Sequence, residues 1–221
     1  MGVVQNRVVA YFSGKLATKM DLEKALMRYD VFKACKEGDL DTLVTLGNLG
    51  VDFDVSDVNG VTPLMLAALR GHTGVISALL SKYKGSLQRK SKKGHTVLHY
   101  ACAGGSVSLV QTLVREHKVN INGRDDQNDT PLNVAAVCGK AEVALCLINE
   151  FGGDPNVSGQ FGRSVLHHAC GGGYVSLVQT LIREHKADVH ARDDNNDTPL
   201  HVAAFCGKAE VALCLINEFG L

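Results

Sequence analysis

Histidine and cysteine stand three residues apart at two places in this chain, His99 with Cys102 and His167 with Cys170. On a helix such a pair shares one face, and imidazole with thiolate is a zinc-type donor set. Cys138 and Cys206 each precede a glycine, a place where a thiol is accessible enough to react. Gly171-Gly172-Gly173 has the composition of a phosphate-cradling loop, and RKSKK at Arg89 to Lys93 is the densest charge run. Each chemistry fails for want of its remaining parts. A metal needs three or four donors, and the two His/Cys pairs lie 68 residues apart, ~20 Å at roughly 10 Å per helix layer. No Lys-Ser/Thr follows the glycine run, as a P-loop requires. No Cys/His or Ser/His/Asp set accompanies a recognisable catalytic scaffold. The expectation is no catalytic residue, no metal and no cofactor.

The elements that carry these residues recur. TPLMLAA, TVLHYAC, TPLNVAA, SVLHHAC and TPLHVAA begin at Thr62, Thr96, Thr130, Ser164 and Thr198, always 34 residues apart. Nine residues after each start stands a glycine: Gly71, Gly105, Gly139, Gly173 and Gly207. Apolar pairs at helical spacing follow, as in Leu109, Val110, Leu113, Val114, and make one stripe on a second helix. Thr or Ser caps the first helix, Pro fits its first turn and Gly ends it. Loops such as NINGRDDQND turn sharply because Asn, Asp and Gly accept turn conformations.

This pattern resembles the ankyrin repeat, whose signature is T-P-L-H-x-A. TPLHVA at Thr198 to Ala203 matches every fixed position. The 34-residue period also suits tetratricopeptide repeats, but those carry a Trp and this chain has none. The resemblance implies an all-α solenoid of about six stacked helix–turn–helix repeats with β-hairpin-like loops. The repeats are placed near 24–56, 57–90, 91–124, 125–158, 159–192 and 193–221, after an N-terminal leader or extra helix at 1–23. In the first repeat Tyr29, Asp30, Val31 and Phe32 stand in place of the motif, as in a capping unit. The last repeat ends on ordinary interior residues at Leu221, which reads as a cut from a longer array.

CGKAEVALCLINEFG occurs twice without a difference, at Cys138–Gly152 and Cys206–Gly220. The duplicated unit is a pair of repeats, and its two copies agree at 45 of 62 positions. Second helices are kept, and most differences fall in loops and first helices. The resemblance implies that loop tips and first helices line a concave protein-binding surface. The expected binding residues are Asn59, Arg70, Lys92, Lys93, His95, Tyr100, Asp126, Gln127, Asp129, Gln160, Phe161, Arg163, His168, Asp194, Asn195 and Phe205. Phe161 is the best apolar anchor, and His168 is the oddest member, standing where other repeats have Leu66, Val134 or Val202. The family also implies asparaginyl hydroxylation, at Asn122 and Asn156.

Lys+Arg and Asp+Glu are both 23, so there is no global basic footprint for nucleic acid. The basic loop 82–93 is the one local candidate, and acidic loops flank it. Seven cysteines without a secretory signal read as free thiols in a reducing compartment. No apolar run reaches the ~20 residues that span a bilayer. The reading is a monomeric, cytoplasmic scaffold, with a nuclear location as the variant, that binds another protein without catalysis. A targeting module of a larger enzyme or channel is the alternative, and a nucleic-acid binder comes third.

Overall fold

The computed structural model describes residues 19–83 and 85–221. Residues 1–18 of the expected leader or extra helix, and Lys84 of the basic loop, lie outside them. Twelve α-helices occur among the described residues, with no strand. They form two compact units, one up to Ser86 and one from Leu87.

The first unit holds α1 (Lys19–Glu37), α2 (Leu40–Asn48), α3 (Pro63–Arg70) and α4 (Thr73–Ser81). There α1 packs on α2 and α3, and α4 packs on α2 and α3. Helix α1 has 19 residues against the 8 of α3. It runs unbroken through the expected boundary at 23/24 and through Tyr29–Phe32. Those residues supply no Thr-Pro start, so nothing interrupts the helix already under way.

The second unit holds α5 (Val97–Gly104), α6 (Val107–Arg115), α7 (Pro131–Val137), α8 (Ala141–Phe151), α9 (Val165–Gly172), α10 (Val175–Arg183), α11 (Pro199–Phe205) and α12 (Ala209–Phe219). The first helices stack in order, α5 on α7, α7 on α9 and α9 on α11. The second helices pack as α6 on α8 and α10 on α12. Leu98, Leu109, Leu113, Leu147, Leu166, Leu177, Leu181 and Leu215 are all fully buried between the layers. Each removes a side chain from water that is worth roughly 1.5–3 kcal/mol.

The motif's chemistry explains how each first helix starts. In α9 the Ser164 hydroxyl lies 2.8 Å from His167 Nδ1, and the Ser164 N–H donates to the same nitrogen at 3.1 Å. His167 Nε2 then meets the Asp197 carbonyl at 3.1 Å. A carbonyl only accepts, so Nε2 carries the proton and the ring is neutral. His99 repeats this with Thr96 and with the Asp129 carbonyl at 3.1 Å. Asn133 does the same work with an amide. Its Oδ1 accepts from Thr130 N–H and Oγ1–H, and its Nδ2 donates to the Val157 carbonyl. The fourth residue of the motif therefore caps its own helix and ties it to the next loop.

Candidate functional site

Each loop of the second unit rises as a finger closed by a backbone bond at its base. Ser91 N–H donates to the His95 carbonyl, Asp125 to Asp129, Gly159 to Arg163 and Asp193 to Asp197. In three of these fingers the first residue also tethers the turn through its side chain. Ser91 Oγ accepts from Lys93 and His95 N–H. Asp125 Oδ1 accepts from Gln127 and Asp129 N–H, and Asp193 Oδ1 from Asn195 and Asp197 N–H. Neighbouring fingers are stitched together by Asp126 N–H to the Lys93 carbonyl and by Asp194 N–H to the Phe161 carbonyl.

The finger at 159 is built differently. Gly159 has no side chain with which to tether the turn. Asp129 of the preceding finger takes over, accepting the Gln160 N–H at 2.8 Å through Oδ1. A Cβ on residue 159 would collide with that carboxylate. The turn is a single 3-10 turn, Gln160–Gly162, bracketed by an isolated antiparallel bridge between Ser158 and Ser164. Phe161 takes φ 58° and ψ 28°, and Gly162 follows at φ 68°. In the other fingers the left-handed position is a single Gly94, Asn128 or Asn196. An aromatic residue there is strained. The Phe161 ring is 57% exposed and lies under the Arg163 guanidinium, 6.0 Å from its centroid.

The expected binding residues fall into two groups. Lys92, Lys93, Asp126, Gln127, Phe161, Asp194, Asn195 and Phe205 are exposed in the second unit, and Asn59 and Arg70 are exposed in the first. Phe205 is 91% exposed and its counterpart Val137 is 46% exposed. The others are engaged within the chain. His95 lies 2.8 Å from the buried Asp125 carboxylate and stacks on His99, with Tyr100 edge-on to it. Gln160 is held by its N–H, and Arg163 Nε donates to Asp193 at 3.1 Å.

Two of the expected residues are largely withdrawn from the surface. Asp129 is buried, and its carboxylate is occupied with the next finger, which it anchors. His168 has a side chain only 9% exposed, with Nε2 3.7 Å from Asp129 Oδ1. Burial disfavours the charged form of Asp129, but His168 and the Gln160 N–H outweigh it and hold the carboxyl below its ordinary range. Asp193 behaves likewise: burial raises its pKa, while the Asp197 N–H and Arg163 bring it below the usual value.

The initial chemical candidates resolve into structure. Cys102 and Cys170 are buried, and burial pushes the Cys170 thiol up to about 12. Cys138 is exposed yet its thiol is also raised, chiefly by burial, which opposes nucleophilic use. Gly173 ends α9 in the left-handed conformation. Among the described residues no group of three His, Cys, Asp or Glu could hold a metal ion, and no helix is long and apolar enough to cross a membrane. Asn122 and Asn156 are exposed, and Asn156 Oδ1 accepts the Asp188 N–H at 3.0 Å.

The unusual turn at 159 was only half visible in the sequence. A Gly in the slot of Asp57, Ser91, Asp125 and Asp193 signals a missing tether. The left-handed Phe161 has no such signal, because the local preference of Phe is against it.

The family model for ankyrin repeats matches this chain in three copies, at residues 31–125, 83–158 and 132–220. A mouse protein described as 60 kDa lysophospholipase is 45% identical over 49 residues, 22% of this chain and 9% of that protein. The chain thus spans about a tenth of the length of the curated relative it matches.

Proposed function

The chain belongs to the ankyrin repeat family, and from that premise we propose that it is a non-catalytic scaffold whose second unit grips another protein through finger tips and first helices. Ankyrin repeats generally serve protein–protein interaction. One observation carries the reading. Phe161 and Phe205 leave large aromatic surface in water on this face, where the other copy of the duplicated pair has Lys93 and Val137. Exposed aromatics cost solubility and are typical anchors of interfaces. The rigid layers behind them hold the surface in its binding geometry, which spares the ordering cost of association.

Nucleic acid is disfavoured as a ligand. Lys90 Nζ bonds the Arg124 carbonyl, Arg124 bonds the Asn128 and Ser158 carbonyls, and Arg163 pairs with Asp193. Of the basic loop, that leaves the exposed Lys82, Lys92 and Lys93, the last two beside the exposed Asp126. The scaffold acts as a cytoplasmic monomer, a nuclear location being the variant. Asn122 and Asn156 are its hydroxylation sites, checked by a 16 Da mass increase on the peptides that contain them.

The test is affinity capture with the native chain and with Lys92→Ala/Lys93→Ala/Gln127→Ala/Phe205→Ala, after both are shown equally folded. A second variant, Glu116→Ala/Glu184→Ala, alters exposed outer positions instead. The expected outcome is a partner lost with the first and kept with the second. A partner kept with both would refute the surface assignment.

A second reading has one observation in its favour. Likeness to a short part of a protein named for an enzyme activity fits a targeting module of a larger enzyme or channel. Sequencing the complete transcript decides it, by the presence or absence of a catalytic domain in the same reading frame.

A further inference from the structure

We propose that the finger at 125 is fastened by a proton-operated clasp, in which His95 and His168 close on its two buried carboxylates as pH falls through the histidine range. The clasp stands on the geometry, and its consequence for binding rests on the protein-binding reading.

This finger begins and ends on an aspartate, and both residues are nearly withdrawn from water. Asp125 is 8% exposed and Asp129 7%. Each commits Oδ1 to backbone N–H groups, Asp125 to those of Gln127 and Asp129, and Asp129 to that of Gln160. The side chain that faces each charge is an imidazole. His95 Nε2 stands 2.8 Å from Asp125 Oδ2, and His168 Nε2 stands 3.7 Å from Asp129 Oδ1. Neither contact is a hydrogen bond, for the first is off line and the second too long. Asp125 Oδ2 and His168 Nε2 are buried without a hydrogen-bond partner. Neutral rings therefore leave both atoms unsatisfied. A protonated ring attracts the carboxylate without needing alignment, and imidazole is the side chain that ordinarily changes charge between pH 5 and 8.

The neighbouring charges do not reverse the sign. His95 is faced by Asp125, by His99 and Tyr100 of α5 and by Lys90, whose Nζ is turned to the Arg124 carbonyl. Lys92, Lys93 and Asp126 lie at the exposed tips. His168 is faced by Asp129, and beside its neighbour His167 stand Arg163 and Asp193, which answer one another. His99 and His167 are neutral, each donating through Nε2 to a carbonyl.

The other copy of the duplicated pair is a built-in comparison. There Arg163 Nε donates to Asp193 Oδ2 at 3.1 Å, and Asp193 Oδ1 accepts the Asn195 and Asp197 N–H groups as Asp125 Oδ1 does in its own finger. Arg keeps its charge throughout this pH range. One finger is fastened by a permanent charge and its copy by protons. The finger at 125 carries Asp126 and Gln127 of the proposed binding surface, so acid firms that half of the surface and leaves the other half as it was.

The experiment is amide hydrogen exchange of the full chain, read by NMR at about pH 7.5 and about pH 5.5. Each rate is divided by the intrinsic chemical rate at its pH. Protection at Gln127, Asp129 and Gln160 is compared with protection at Asn195 and Asp197. The ratio should rise about two- to fivefold at the lower pH, the scale of a partly exposed ion pair. His95→Arg copies Arg163 and should make protection of Gln127 and Asp129 independent of pH relative to the comparison amides. His168→Val copies Val202 and should do the same for Gln160. An unchanged ratio in the native chain overturns the proposal, and so does a rise that persists in either variant at the amides it governs. Exchange is read on the free chain, so a negative result leaves the protein-binding reading standing, and a failed affinity capture leaves the clasp standing.

Discussion

At position 99 the side chain is asked for two hydrogen bonds in opposite senses. Nδ1 accepts from Thr96 and Nε2 donates to the Asp129 carbonyl, with the ring almost entirely buried. Asn133 meets the same demand in its own repeat. His99→Asn should therefore cost less than about 1 kcal/mol, because both bonds are rebuilt. His99→Ala should cost about 2–3 kcal/mol, since it leaves buried backbone groups of two repeats without partners. Urea unfolding of the two variants side by side checks this. Equal losses would mean that ring packing, not hydrogen bonding, is what the position supplies.

Helix pairs show a similar contrast between what looks interactive and what stabilises. Glu150 on α8 receives Gln111 and Arg115 from α6, and Arg115 also stacks on Phe151. Glu218 on α12 repeats the arrangement with Gln179 and Arg183 of α10. These groups are partly in water, where such pairs contribute about 0–1 kcal/mol. Leu147, one turn earlier on the same helix, is fully buried. Leu147→Ala should lower the unfolding free energy by about 2–5 kcal/mol and Glu150→Ala by under about 1 kcal/mol, measured by urea titration. Comparable losses would make the clamp, and not the apolar stripe, the main bond between second helices. The stripe was legible in the sequence because burial imposes a 3.6-residue period. The clamp was not, because its members are 35 and 39 residues apart and need the packed layers to meet. Thr caps, Gly ends and the TPLH slot could likewise be read, since each acts within a few residues. The length of α1, the left-handed Phe161 and the occupation of Asp129 by the next finger could not. Each of them depends on a neighbour or on the absence of a stop signal.

Across the whole molecule these local choices make stability depend on pH with a definite sign. His99 and His167 both have pKa values below the ordinary histidine value. Burial is the main cause, and a proton on Nδ1 would also face the cap N–H of Thr96 or Ser164. Around His99 stand His95, Asp125 and Lys90, and around His167 stand Asp193, His168 and Arg163. Unfolded histidine takes a proton near pH 6.5, so between that pH and the lower folded values the unfolded chain binds more protons than the folded one. Stability contributed by the two neutral rings is thus complete above about pH 6.5 and is lost as pH falls through the folded pKa values. Asp129 and Asp193, held below the carboxylate range, act with the same sign in a lower window: their contribution is present above the unfolded carboxylate pKa and disappears in acid. The urea midpoint should therefore decline from pH 7 to pH 5, with a further decline below pH 4. The double variant His99→Asn/His167→Asn should start lower or equal at pH 7 and lose less between pH 7 and pH 5, because asparagine does not titrate. An unchanged slope in that variant would assign the acid sensitivity to other groups. A flattened slope would tie it to the one side chain that both caps a helix and fastens it to the next repeat.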